Sequence, residues 1–142
     1  MCSMRSVATE PESGMIVLDT SAVVEVLVNP ERPPPLVERL AGAGSLHAPH
    51  LLDTEVVAAL RRLALGGVIS EDRATDALRD FSRLAMTRYP AAPMLLEIWD
   101  LRSRMTAYDA TFLALAEALR CPLVTCDARM ARAGTSQRVE AF

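Results

Sequence analysis

Short apolar runs alternate along the chain with longer stretches whose apolar residues recur at helical spacing. Met15-Ile16-Val17-Leu18, bounded by a glycine and an aspartate, has the pattern of a fully buried strand. Asp19-Thr20-Ser21 is a helix-start signal, and the helix it predicts over Ala22 to Val28 stops at Asn29-Pro30. A second helix over Leu36 to Ala41 ends at Gly42 and Gly44. Ser45 to Pro49 predicts a second strand, and Leu51 to about Leu65 a helix closing on Gly66-Gly67. Ser70, with Arg73 and Ala74, opens a helix running to about Ala85, and Asp76, Arg79, Asp80 and Arg83 give it a solvated face.

Further along, Thr87 to Tyr89 reads as a third strand, and Pro93 to Arg104 as a helix with proline in its first turn. Thr106 to Leu119 carries the clearest helical pattern in the chain. Leu123-Val124-Thr125 is a buried strand, Asp127 to Ala133 a short helix, and Arg138 to Phe142 an edge strand. Strands alternating with helices need crossover connections, hence a parallel sheet covered on both faces. The fold class expected is α/β, a three-layer α/β/α sandwich with a central parallel sheet. Residues 1–14 are polar and without periodicity, read as a disordered leader or an alternative start upstream of Met15; residues 15–142 form one domain.

Composition narrows the chemistry. Of the 142 residues 51% are apolar and 23% charged, enough for a core without metal or disulfide staples. Three cysteines cannot pair completely and no secretory signal pattern precedes the domain, so a reducing cytoplasm is expected. No apolar run approaches the roughly 18 residues that cross a bilayer. The formal charge of −3 argues against holding nucleic acid by bulk positive charge.

Every basic side chain is arginine, which excludes mechanisms built on a catalytic lysine. A phosphoacceptor receiver domain fails on that ground. So does a haloacid-dehalogenase-like phosphatase, which also needs an aspartate where Ser21 stands. There is no G-x-x-x-x-G-K-[ST] loop, and Gly42-Ala43-Gly44 follows a helix and lacks the rest of a dinucleotide fingerprint.

In an open parallel sheet, ligands collect beyond the carboxyl ends of the strands. Asp19 follows the first strand and Asp127 the fourth; Glu55 and Asp109 fall near helix beginnings that open at the same edge. Taken singly, each has a structural explanation as a helix cap or a partner of the helix dipole. Taken together, four carboxylates at one edge repel each other unless a cation neutralises them. An all-oxygen set suits Mg²⁺ or Mn²⁺, ions that support phosphodiester hydrolysis.

Met15-Ile16-Val17-Leu18-Asp19-Thr20-Ser21-Ala22, Glu55 in an apolar helix, Tyr108-Asp109-Ala110 and Val124-Thr125-Cys126-Asp127 resemble the PIN-domain proteins. In size and order the chain, from Met15 to about Phe142, is similar to the VapC toxins of bacterial type II toxin–antitoxin operons. The resemblance implies a metal-dependent endoribonuclease that cuts RNA, often tRNA. Asp19, Glu55, Asp109 and Asp127 would hold Mg²⁺ (or Mn²⁺), supported by the hydroxyls of Thr20, Ser21 and Thr125. Asp53 rivals Glu55, but two residues apart on a helix only one can face the site. Asp53 or Thr54 is the better helix cap and Glu55 has the longer reach, which favours Glu55.

The resemblance also implies a cognate antitoxin that covers the site, and a homodimer or toxin–antitoxin hetero-oligomer. Val23, Val24, Val26, Leu27 and Val28 make the first helix apolar nearly all round. That pattern fits a helix buried on two sides equally well as a groove for a partner's apolar segment. Arg61, Arg62, Arg102, Arg104, Arg129 and Arg132 lie near the acidic motifs and could clamp phosphates, though most such residues are solvated surface charges. Aromatics make up only 4% of the chain, against a broad base-stacking platform, and His47 and His50 read as structural. The rival from another class is a catalytically inactive PIN-like module that binds RNA or protein.

Overall fold

The structure, a computed structural model, describes residues 14–133 and 138–142. Five strands form one sheet: β1 (Met15–Leu18), β2 (Ser45–Pro49), β3 (Thr87–Tyr89), β4 (Leu123–Thr125) and β5 (Val139–Ala141). Their order is β3-β2-β1-β4-β5, with every neighbouring pair parallel. Seven helices connect them among the described residues: α1 (Thr20–Val28), α2 (Pro34–Ala41), α3 (Leu51–Leu65), α4 (Glu71–Ser82), α5 (Leu95–Asp100), α6 (Ala107–Leu119) and α7 (Ala128–Ala133). This is the three-layer parallel α/β arrangement that the alternation of patterns predicts.

Ile16, Val17 and Leu18 of β1 and Leu123, Val124 and Thr125 of β4 are buried, as central parallel strands must be with helices on both faces. Helix α6 packs against β1, β2 and β4 and buries every residue from Ala110 to Ala116. On the other side α1 lies against α3, α4 and β4. The chain moves outward through β2 and β3 on one side of β1 and through β4 and β5 on the other. Strand order therefore reverses between β1 and β4, and a crevice opens beyond their carboxyl ends.

Two helices are shorter than the sequence pattern suggests. Pro93 to Arg104 is a 3₁₀ turn over Ala92–Met94 followed by α5, which stops at Asp100. Beyond it Leu101, Arg102 and Arg104 each bond to the carbonyl three residues back, a tightening turn that frees Thr106 to adopt extended geometry and cap α6. Helix α4 ends at Ser82 instead of about Ala85, through the same kind of bond from Arg83 and Leu84.

Of the residues assigned to a leader, 1–13 lie outside the described residues. Gly14 itself belongs to the sheet region: its carbonyl accepts from the Ser45 backbone at 3.0 Å. Its φ is +124°, and a Cβ there would stand 2.3 Å from the Gly44 nitrogen, so only glycine fits.

Candidate active site

Asp19 is the N-cap of α1, its Oδ1 accepting from the Ala22 backbone N–H at 3.0 Å and from the Ser21 hydroxyl at 2.7 Å. Its Oδ2 accepts from Thr125 Oγ1, and the residue is only 5% exposed. The capping and site readings of Asp19 thus coincide, because the helix it caps begins at the crevice. Thr125, fully buried at the end of β4, also accepts from the Asp127 backbone N–H at 2.9 Å. Ser21 Oγ accepts from the Cys126 backbone at 2.9 Å and lies 3.2 Å from Thr125 Oγ1. Two hydroxyls thereby join the ends of β1 and β4 and fix Asp19 relative to Asp127.

Asp127 caps the turn into α7 by accepting from the Arg129 backbone at 2.9 Å, and it forms an ion pair with the Arg129 guanidinium at 3.1 Å. Asp109 sits in the first turn of α6, its backbone bonded to the Thr106 hydroxyl at 3.2 Å, which leaves the carboxylate facing the crevice. Glu55, on α3, accepts from Thr20 Oγ1 of α1. Together these residues line one cleft of about 460 Å³, with Thr20, Ser21, Glu25 and Arg62 as its other polar walls and Val24, Ala58, Ala59 and Leu63 as apolar ones. Four elements or element junctions therefore deliver four carboxylates to one place.

Asp53 takes the opposite course. Its carboxylate pairs with Arg88 Nε of β3 at 2.8 Å, away from the cleft, and the α3 cap position falls to His50 instead of Asp53 or Thr54. His47 is buried between the Ser45 hydroxyl at 2.7 Å and the Tyr89 hydroxyl at 2.8 Å, also outside the cleft. Arg62 lines the cleft, whereas Arg61 does not.

Sequence reasoning missed Glu25, a fifth carboxylate in the cleft wall, whose Oε1 accepts from the Asn29 amide. Ser21, Val24 and Glu25 share one face of α1 by their three- and four-residue spacing, a signal readable only once that face is known to meet the cleft.

Burial raises the Asp19 carboxyl above its ordinary range despite the hydrogen bonds from Thr125, Ala22 and Ser21, and the negative Asp127 adds to the rise. Burial, followed by Asp127, raises Asp109 as well. Asp127 moves the other way, lowered chiefly by its bond to Arg129. The Cys126 thiol is pushed up to about 11 by burial and by Asp19 and Glu25, which favours the protonated thiol. Among the described residues, no three acidic, histidine or cysteine side chains stand close enough to cage an ion alone. The polar groups of the acids and hydroxyls in the cleft are all hard oxygen donors, a set that fits an ion such as Mg²⁺, which keeps several of its waters.

Fold and cleft define a class: parallel α/β proteins that gather carboxylates at the strand-order reversal. The sequence matches the PIN domain family over residues 16–135. It is 42% identical to ribonuclease VapC9 of Mycobacterium tuberculosis over 123 residues, covering 87% of this chain and 94% of that protein. It is 44% identical to ribonuclease VapC1 of the same organism over 118 residues, covering 82% and 89%. In fold it is similar to a Pyrobaculum aerophilum protein (TM-score 0.67, 18% identity, 98% and 92% covered). It is also similar in fold to Mycobacterium tuberculosis VapC20, a toxin that cleaves the sarcin–ricin loop (TM-score 0.64, 15% identity, 86% and 97% covered). The chain belongs to the PIN-domain family and, within it, to the VapC ribonucleases.

Proposed function

We propose that this chain acts as an endoribonuclease toxin of a type II toxin–antitoxin module, with Asp19, Glu55, Asp109 and Asp127 as its metal-holding and catalytic carboxylates. The observation that carries the reading is their convergence from separate elements on one cleft at the strand-order reversal. The reaction is hydrolysis: water adds to a backbone phosphorus as one ester P–O bond breaks, and the proton the water gives up, taken first by a carboxylate of the cleft, ends on the departing ribose oxygen.

The donor set fits Mg²⁺ or Mn²⁺. All candidate ligands are oxygens, and the buried Asp19 carries a charge whose desolvation its three hydrogen bonds do not offset. When bound, such an ion would neutralise charge on the phosphodiester and lower the pKa of water. The protein's part is positional. Thr125 and Ser21 hold the Asp19 carboxylate in one orientation, and Thr125 anchors the Asp127 backbone beside it. Thr20 orients Glu55 from across the cleft.

The partner implied is a cognate antitoxin. A second groove of about 600 Å³ between α1 and the α3–α4 connection, lined by Val28, Pro30, Leu63, Val68 and Ile69, suits a partner's apolar segment. Val68 is 71% exposed there. The reading places the chain in the cytoplasm, as a homodimer or a toxin–antitoxin hetero-oligomer; no helix among the described residues is long and apolar enough to cross a membrane. Nothing observed favours the non-catalytic module.

The test is cleavage of total cellular RNA by the purified, antitoxin-free protein with Mg²⁺, Mn²⁺ or EDTA, beside Asp109→Asn. Metal-dependent discrete fragments that vanish in the variant support the reading. A folded protein inert under every metal overturns it. Failure of any small protein encoded in the same operon to co-purify would remove the antitoxin.

A further inference from the structure

Trp99 is the only tryptophan of the chain, and it lies 62% exposed instead of in the core. Tryptophan is highly buried on average, so this placement calls for a use. The Arg102 guanidinium lies over its ring, 4.7 Å from the centroid, and also donates to the Trp99 carbonyl at 3.1 Å. These contacts hold the indole in place while leaving most of its surface open. It borders a depression of about 290 Å³ whose floor includes Ile98, Met105 and Thr106.

That depression is linked to the carboxylate cleft by shared walls, through one hollow between them. Met105 and Thr106 also line a neighbouring hollow of about 220 Å³ walled by Arg104, Arg129 and Asp109. Asp109 in turn lines the cleft itself. The surface thus runs from carboxylates to two arginines to a tryptophan stacked on a third arginine.

The cleft is acidic and the chain carries a net charge of −3, so neither attracts a polyanion. Affinity for RNA must come from local cations and from contacts that do not depend on charge. An exposed indole beside arginines supplies both, since every nucleobase has a face to stack and its phosphates have guanidinium partners.

We propose that the Trp99 depression is a nucleobase subsite. In it a base of single-stranded RNA stacks on the indole, while Arg104 and Arg129 contact the phosphates between that base and the bond cut at the carboxylates. The inference rests on the ribonuclease reading and deepens it. It gives this PIN domain one stacking position in place of a broad platform, so it favours unpaired over duplex RNA on this side of the cleavage point.

Because Trp99 is the sole indole, its fluorescence reports on the subsite directly. The probe is an RNA of about 12 nucleotides and mixed sequence, within the range such grooves cover. It is titrated into Asp19→Asn protein with Mg²⁺ present, while binding is followed separately by anisotropy of an end-labelled copy. Indole emission should quench with the same midpoint as the anisotropy change. Trp99→Ala should weaken binding about tenfold, and Trp99→Phe should recover most of the loss. In the cleaving protein, with Asp19 unsubstituted, Trp99→Ala should lower kcat/KM by the same factor, mainly through KM. At 62% exposure, the truncation leaves the core intact.

RNA that binds by anisotropy with unchanged indole emission, and equally to Trp99→Ala, overturns the subsite while leaving the nuclease standing. A Trp99→Ala protein of halved mass with unaltered RNA affinity also overturns it and assigns the face to a second copy. If the unsubstituted chain neither binds nor cuts RNA, the proposed function falls and this inference falls with it.

Discussion

Asp19→Asn removes a charge while leaving the shape of the side chain almost unchanged, which makes it the sharpest probe of the cleft. Two opposing effects act on the buried carboxylate. Burial of an ion costs several kcal/mol even after relaxation, and charge-assisted hydrogen bonds return about 1.5–3 kcal/mol each. Asp19 has three such bonds, yet its carboxyl is raised above the ordinary range, so burial wins the balance. Asparagine keeps Oδ1 for Ala22 and Ser21 and sets an amide opposite Thr125 Oγ1, which can rotate to accept.

The metal-free variant should therefore be more stable than the unsubstituted protein by on the order of 1 kcal/mol, a rise in Tm of about 3 °C for a domain this size. The sign of the pH dependence follows from the same shift. With its folded pKa above the unfolded value of 3.8, Asp19 makes the native state bind more protons in the window between them. Its cost is full at neutral pH and fades as pH falls through the folded value towards 3.8, so the advantage of Asp19→Asn should shrink on acidification. Excess Mg²⁺ should reverse the ranking, since a ligand at about 100 times its Kd adds about 2.7 kcal/mol to the protein that binds it. Thermal melts of both proteins in EDTA and in Mg²⁺, from neutral to acid pH, test all of this. A variant that melts several degrees lower in EDTA, or that keeps the full Mg²⁺ shift, refutes the reasoning.

Glu55→Gln should lower RNA cleavage at least about a hundredfold with little change in Tm, while Asp53→Asn should leave cleavage intact and cost under about 1 kcal/mol for its half-exposed pair with Arg88; equal losses of activity would undo the assignment of Glu55. Thr125→Val deprives Asp19 Oδ2 of a donor and the Asp127 amide of an acceptor, so denaturant titration should find about 1–3 kcal/mol lost and activity should drop, with both restored by Thr125→Ser. Arg120 ends α6 with φ at +52°, a conformation that glycine adopts without strain, and Arg120→Gly should raise stability by about 1 kcal/mol in a thermal melt.

Most of the sheet was legible because its strands are short apolar runs stopped by turn residues; β2, β3 and β4 have the bounds that the pattern suggests. The acids were legible as candidates because each stands after a strand or near the start of a helix. What sequence could not supply was which helix face meets the crevice. Glu25 sits mid-helix between valines and Arg62 in the last turn of α3 beside Arg61, and only the packing of α1 against α3 brings both to the cleft wall. The end of α5 was hidden for another reason. Its helical pattern continues past Asp100, but Leu95, Leu96 and Trp99 face solvent, so the core gives the continuation little to pack against. Gly14 depended on a neighbour thirty residues away, beyond any local pattern.

The bonds from Thr125 to Asp19 and to the Asp127 backbone have a consequence for the timing of synthesis. The first carboxylate leaves the ribosome early, but its seat is completed only by Thr125, made 106 residues later at the end of β4. At roughly 5–20 residues per second, about 5–20 s separate the two during translation. No nascent fragment that stops short of Asp127 can assemble the cleft. The order of the strands thus acts as a delay between the making of the first carboxylate and the completion of the cleft.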